Sequence, residues 1–163
     1  MFLPNLRGLF ATILKVPGGL AAGTLWGWGQ NYFGGGLGLN DNANRDEPAQ
    51  ISVLTNWGNL PRGSLVSGSE FSIFVKTDNS LWGVGYNGYG QLGSNNTLTR
   101  NYLLQIGSLT NWSYVTTGSI HTVAVKTNGT LWSWGQNNYG QLGSSSITNT
   151  SSPVQIGTDT NRS

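Results

Sequence analysis

His121 is the only histidine in the 163 residues, so general acid–base chemistry near neutral pH would have to run through it or through a carboxylate of shifted pKa. The carboxylates are Asp41, Asp46, Glu47, Glu70, Asp78 and Asp159. Only Asp46 and Glu47 are adjacent, and no pair recurs at a spacing that suits paired acid catalysis or a divalent cation. A hydrolytic triad would need a nucleophile and an orienting acid beside this one imidazole. A similar stretch of the chain carries Phe71 where His121 stands, and Phe10 stands in a third, so a packing role is expected for the histidine. With no cysteine, thiolate metal sites and disulfides are excluded. No catalytic, cofactor-binding or metal-ligating residue is assigned, and the sequence reads as that of a non-enzyme.

Two further features suggest ligands. The run GGGLG at Gly34 to Gly38 suggests a phosphate cradle, but the Lys-Ser/Thr of a P-loop does not follow it. It aligns instead with GQLG turns elsewhere, where glycine permits positive φ and close backbone approach. The seven tryptophans could stack on sugars or bases. They fall into shared positions, however: Trp26, Trp82 and Trp132; Trp28 and Trp134; Trp57 and Trp112. A side chain required in every copy of a unit is expected to fill the gap between neighbouring units. Phe33, Tyr89 and Tyr139 share another position and are expected to pack over the following turn.

The charged residues exclude other partners. Arg7, Lys15, Arg45, Arg62, Lys76, Arg100, Lys126 and Arg162 are scattered with no two adjacent, and the net charge is only +2. A nucleic-acid surface clusters such residues to neutralise several phosphates, so direct DNA or RNA binding is not expected. No apolar run reaches the ~18 residues that span a bilayer. Leu9 to Ala22 is interrupted by Lys15 and Pro17 and is read as part of the mature chain rather than as a signal peptide.

The elements that must position these residues follow from composition. Gly supplies 25 residues and Asn, Ser and Thr another 51, while charged residues make up 9% against about 25% in a typical domain. Hydrophobic residues still reach 37%, enough for a packed core. Turn-forming residues between aromatic and β-branched runs predict many short strands.

Those runs repeat. Gly129 to Gly143 reads GTLWSWGQNNYGQLG, Asn79 to Gly93 reads NSLWGVGYNGYGQLG, and Gly23 to Gly38 reads GTLWGWGQNYFGGGLG with one extra residue before Leu37. Leu25, Leu81 and Leu131 share a position, as do Gly29, Gly85 and Gly135, and likewise Gly90 and Gly140. Gly68 matches Gly118, and Ser72 to Thr77 matches Thr122 to Thr127. Ala49-Gln50-Ile51, Leu104-Gln105-Ile106 and Val154-Gln155-Ile156 form a further matching set. A longer first spacing is accounted for by the extra residue and by GNLPR at Gly58 to Arg62, both placed in loops.

Four strands are predicted per unit: Ser80 to Gly85, Tyr102 to Ile106, Trp112 to Thr117 and His121 to Thr127. In the last, Val123 and Val125 face one way and Thr122, Ala124 and Lys126 the other. Four short strands repeating about every 40 to 50 residues predict β-propeller blades. The fold class is therefore all-β, a partial propeller of about three four-stranded antiparallel blades. Its expected divisions are an N-terminal segment 1–22, repeats at 23–78 and 79–128, and an incomplete repeat at 129–163. In the N-terminal segment, Phe10 to Val16 is read as a degenerate strand with Lys15 in the position of Lys76 and Lys126. The rival reading is an amphipathic helix burying Leu3, Leu6, Phe10, Ile13 and Leu14, which Gly8 and the β-branched Thr12 and Ile13 weaken.

The pattern L-W-x-W-G-x-N-x-x-G-Q-L-G, followed by P-V-Q-I and then a Gly-x-x-His strand, resembles the regulator of chromosome condensation repeat family. It is carried here by Leu131, Trp132, Trp134, Gly135, Asn137, Gly140, Gln141, Leu142 and Gly143, by Pro153 to Ile156, and by Gly118 and His121. The resemblance covers about Gly23 to Gly157 and implies propeller blades that act through protein contacts. Seven blades, typical of the family, would need roughly 350 residues at this period.

A propeller avoids sticky edges only by closing its ring, so about three blades expose an end face at each side. The chain is therefore expected to be a piece of a longer polypeptide, to assemble with its own copies, or to dock on other proteins. Phe2, Leu3, Leu6, Lys15, Lys76 and Lys126 are candidate partner-facing residues, the lysines as a sparse basic rim. Low charge and abundant Asn, Ser and Thr favour a virion or extracellular surface assembly. The alternative is a lectin-like glycan or small-ligand module using Tyr32, Tyr86 and Tyr114.

Overall fold

In the computed structural model of the chain, which describes residues 10–14 (by backbone), 24–32, 34–52, 57 and 65–158, every regular element is a strand. Among the described residues no helix is long and apolar enough to cross a membrane. Three antiparallel sheets follow one another. The first has order β1 (Phe10–Leu14), β2 (Thr24–Gly29) and β3 (Arg45–Gln50). The second comprises β4 (Leu65–Ser67), β5 (Phe71–Val75), β6 (Leu81–Gly85) and β7 (Arg100–Gln105). The third comprises β8 (Trp112–Thr117), β9 (His121–Lys126), β10 (Leu131–Gly135) and β11 (Thr150–Ile156). Each sheet is a meander, and β8 packs on β4 and β5 while β1 approaches β4. That is the stacking of blades in an open, partial propeller.

Local chemistry sets the hairpins. Between β5 and β6 the Asn79 N–H donates to Lys76 O at 2.9 Å, and Asn79 takes φ 62°, which asparagine tolerates. Gly129 does the same between β9 and β10, with φ 79°. Asp78 caps its turn by accepting from the Ser80 N–H at 3.0 Å, and Asn128 likewise accepts from the Thr130 N–H at 3.2 Å. The hydroxyl of Ser80 holds the Asp78 carboxyl below the ordinary carboxylate range.

All three sheets carry a bulge at the same place, between Gly27 and Gly29, Gly83 and Gly85, and Ser133 and Gly135. Gly85 and Gly135 both have φ 107°, and a Cβ on Gly85 would stand 2.4 Å from Glu70 O. Glycine is required there by conformation and by space.

Alternation along the strands assigns the faces. In β6, Leu81 and Gly83 point toward the third sheet, while Trp82 and Val84 point toward the first. One apolar cluster lies between the first and second sheets (Leu25, Trp57, Phe74, Val84), and another between the second and third (including Phe71, Ile73, Leu81, Leu92, Trp112 and Trp134). The second sheet is covered on both sides, so β5 is buried at all five residues. In β9 the alternation follows expectation, with Thr122, Ala124 and Lys126 buried against the second sheet and Val123 and Val125 half-buried on the far side.

The N-terminal strand forms, but one residue out of the expected register. Ile13 pairs with Leu25 as Val75 pairs with Leu81, so Leu14 takes the position of Lys76 and Phe10 that of Ser72. The expectation that Lys15 matches Lys76 is thereby corrected; pairing with Thr24 to Trp28, not identity at one residue, fixes the strand. Lys15, Phe2, Leu3, Leu6, Phe33, Asp159 and the GNLPR segment lie outside the described residues.

Candidate functional site

The candidate site is the far face of the third sheet, and its counterpart lies on the second. The loop after the bulge glycine is built around a buried asparagine. Asn87 Nδ2 donates to Asn96 O (2.9 Å) and Leu98 O (3.2 Å), while its Oδ1 accepts from the Leu92 N–H at 2.9 Å. Asn137 makes the matching set with Ser146 O, Thr148 O and the Leu142 N–H. Asn31 takes the Leu37 N–H at 2.8 Å. Sequence reasoning left these asparagines without a role, although their recurrence in all three copies was the available signal. The GGGLG run forms the same loop, closed by Gly38 N–H donating to Gly35 O at 2.9 Å.

Where the third sheet covers the second, this loop receives its neighbour. Gln91 O accepts from Trp134 Nε1–H at 2.9 Å and from the Thr122 hydroxyl at 2.8 Å. The Asn95 N–H donates to Ser151 O at 2.8 Å, and Ser152 Oγ donates to Asn95 Oδ1 at 2.9 Å. Gly90 lies so close that a Cβ there would stand 2.5 Å from Ser151 Cα. Between the first and second sheets the outer link recurs, the Asn40 N–H donating to Asn101 O at 2.8 Å. The inner link does not recur, because its donors are missing: Val84, which has no side-chain donor, stands where Trp134 does, and Ser72, in the place of Thr122, pairs its hydroxyl with that of Ser67 at 3.0 Å.

The far face of the third sheet repeats this surface uncovered. His121, Val123, Val125 and Leu131 occupy the positions of the fully covered Phe71, Ile73, Val75 and Leu81, and all four are only half-buried. Tyr139 is 90% exposed, so it does not pack over its turn as expected, whereas Tyr89 is half-buried and meets Tyr86 edge-on. A Cβ on Gly140 would meet nothing within 4 Å, although its φ of 73° matches the 81° of Gly90. Gly140, Ser145, Ser146 and Ile147 line an open recess where the equivalent loop of the second sheet seats β11. Ser145 holds φ 57°, as Asn95 holds 60°, and among the described residues its N–H has no acceptor.

The lysines are placed otherwise than expected. Lys76 and Lys126 are only 6% and 7% exposed, and neither ammonium stands on an open rim. Lys76 lies over Trp57 and Trp82 at 5.2 and 4.9 Å from the ring centroids. Lys126 lies over Trp112 and Trp132 at 4.9 and 3.7 Å. Indole faces attract the cation, while burial pushes Lys126 below the ordinary lysine range. A lysine with a tryptophan on each side braces its own sheet. Trp26, Trp82 and Trp132 are half-buried, each donating Nε1–H at 2.8 Å to the hydroxyl of Thr24, Ser80 or Thr130. Trp57 and Trp112 are buried in the two clusters between sheets.

His121 lies with its ring against Gly118, as Phe71 lies against Gly68, leaving no room for a Cβ at either glycine. Burial pushes its pKa down, so it is neutral at pH 7. Among the described residues no three His, Asp or Glu side chains gather as metal ligands. Asp41 pairs with Arg45 at 2.6 Å, which holds the carboxyl below its usual range, and Asp46 and Glu47 are exposed on β3. Tyr32 and Tyr114 are exposed at 63% and 45%.

The profile of the Regulator of chromosome condensation (RCC1) repeat matches residues 78–125 and 128–163, and a second profile of the same description matches 64–91 and 112–141. Comparison with curated proteins gives no match. Solved structures share the fold. A chain of the crystal structure of Kap60 bound to yeast RCC1 (Prp20) aligns with TM-score 0.70 at 22% identity, over 85% of this chain and 34% of that one. A structure of Prp20p from Saccharomyces cerevisiae, described with its binding to Gsp1p and histones, aligns with TM-score 0.64 at 21% identity, over 85% and 35%. Human WBSCR16 aligns with TM-score 0.67 at 20% identity, over 83% and 35%. This chain thus spans about a third of the length of the structures it resembles.

Proposed function

The chain belongs to the regulator of chromosome condensation repeat family, and from that premise we propose that it is a non-enzymatic protein-interaction module whose binding surface is the far face of the third sheet. Repeats of this family typically serve as protein-interaction modules. One observation carries the assignment to this face: the surface that the second sheet buries completely is presented again by the third, uncovered. Exposed backbone groups at a sheet boundary together with half-buried apolar side chains favour a polypeptide over a small ligand. The binding of Prp20p to Gsp1p and histones is an example of protein recognition on this fold. The finer assignment to a virion or other surface assembly rests on composition alone.

A photo-crosslinking residue at Val123 tests the reading. Polypeptide adducts are expected at Val123, to be lost when Val125→Glu is added, and to be absent from a control site at Leu109. Adducts formed equally at both sites, or only with glycans, would contradict it.

A further inference from the structure

The two outer faces of this partial propeller carry positions equivalent to the donors and acceptors of the inner seams. Strand alternation points Trp28 of β2 away from the second sheet, on the side where Trp134 of β10 and Val84 of β6 meet the preceding sheet. Its half-buried indole lies on the outer face of the first sheet. The register fixes the equivalence: Trp28 stands one residue before the bulge glycine Gly29, as Trp134 stands before Gly135. At the other end, Gln141 stands where Gln91 does, with its backbone carbonyl unclaimed by any donor among the described residues, while its side-chain Oε1 accepts from the Tyr139 N–H at 2.9 Å. Within the chain, the indole donor is present at one seam (Trp134 to the backbone Gln91 O) and absent at the other, where Val84 stands in its place. Trp28 on the outer face of the first sheet supplies that donor again, and the far face of the third sheet supplies the backbone acceptor.

The outer strand completes the match. Arg45 pairs with Gly29 as Thr150 pairs with Gly135 and Arg100 with Gly85, so Asp46 occupies the position of Ser151 and Asn101. Ser151 O and Asn101 O are the acceptors of the Asn95 and Asn40 N–H groups, and Ser145 is the third member of that donor set. Because the contact uses a backbone oxygen, the different side chain at Asp46 does not remove it.

We infer that this chain pairs head to tail with a second copy of itself, the first sheet of one copy covering the third sheet of the next. Trp28 Nε1–H of one copy donates to Gln141 O of the other, and Ser145 N–H of that other copy donates to Asp46 O of the first, as Trp134 and Asn95 donate where the third sheet covers the second. The inference rests on the reading that the far face of the third sheet is a binding surface, and it names the occupant. Such an interface is heterologous, so the surfaces of one copy differ and association extends or closes a ring.

Heterologous pairing has a distinctive test. Trp28→Ala damages only the head. Val123→Glu damages only the tail, and so does the milder Gly140→Ala, whose added Cβ meets nothing within the chain but would meet the strand of the second copy. Light scattering on a sizing column should show wild type above its 17.4 kDa chain mass. Each variant alone should run as a monomer with wild-type circular dichroism. An equimolar mixture of Trp28→Ala with either tail variant should recover a species of two copies, because one intact head and one intact tail remain. A mixture that stays monomeric, or variants that associate like wild type, would overturn the pairing. Wild type that is monomeric at every concentration would also overturn it, while crosslinking of another polypeptide at Val123 would leave the interaction reading intact.

Discussion

The second and third sheets are near copies in sequence, yet one is covered on both faces and the other on one. Val123 and Val125 match Ile73 and Val75 in type and register, but the first pair is half-buried while the second is buried. Gly140 matches Gly90 in conformation, yet only Gly90 has a neighbour that demands it. The lesson is that burial here is a property of the seam, not of the sheet. Positive φ at Gly140 and Ser145 persists on the uncovered face because Asn137 holds that loop within its own sheet.

Substitutions can break the comparison from each side, measured by urea unfolding at concentrations where the chain is monomeric. The largest contrast is expected for tryptophan. Trp134→Ala should cost about 3–5 kcal/mol, because it empties the seam and removes a donor from Gln91 O. Trp28→Ala should cost no more than about 1.5 kcal/mol in the monomer, since its indole is half-buried. Equal losses would mean that Trp28 already packs as Trp134 does. The glycines come next. Gly90→Ala should lose about 2–4 kcal/mol from left-handed strain and a backbone clash, and Gly140→Ala about 1–2 from strain alone.

The asparagines sharpen the comparison by showing no contrast. Asn87→Ala and Asn137→Ala should each lose about 2–3 kcal/mol, since both loops are held within their own sheet. A much smaller loss at Asn137 would mean that the third loop depends on a neighbour.

The smallest effect is titration at the open face. With its folded pKa depressed, His121 takes up a proton more readily in the unfolded chain. The unfolded state therefore binds more protons just below pH 6.5, and stability falls as pH drops through that window and is flat above it. His121→Phe, which installs the residue found at position 71, should remove that slope in a pH series of thermal melts.

Much of this was legible in the sequence because the repeat is long. Trp82 with Trp132 and Gly85 with Gly135 fixed the phase, and the strands they predict begin and end within two residues of those observed. The lysines misled because a charged residue at a strand end reads as exposed. Their burial depends on Trp57 and Trp112, which precede them in the chain outside their own strands and close over the side chains. Lys15 misled for a simpler reason: lysine identity was a weaker guide to register than backbone pairing with β2. The site itself was only half legible. Open faces followed from counting repeats, but the match of Trp28 to Gln141 required knowing that Trp134 bonds to Gln91 O across a seam.

Amide exchange at Ser145, followed by NMR against Asn95, tests the central claim most directly. The Asn95 N–H, bonded to Ser151 O inside the chain, should exchange slowly at every protein concentration. The Ser145 N–H should exchange fast when dilute and slow toward the Asn95 rate as concentration rises and a second copy covers the third sheet. A Ser145 rate that does not change with concentration would contradict the account.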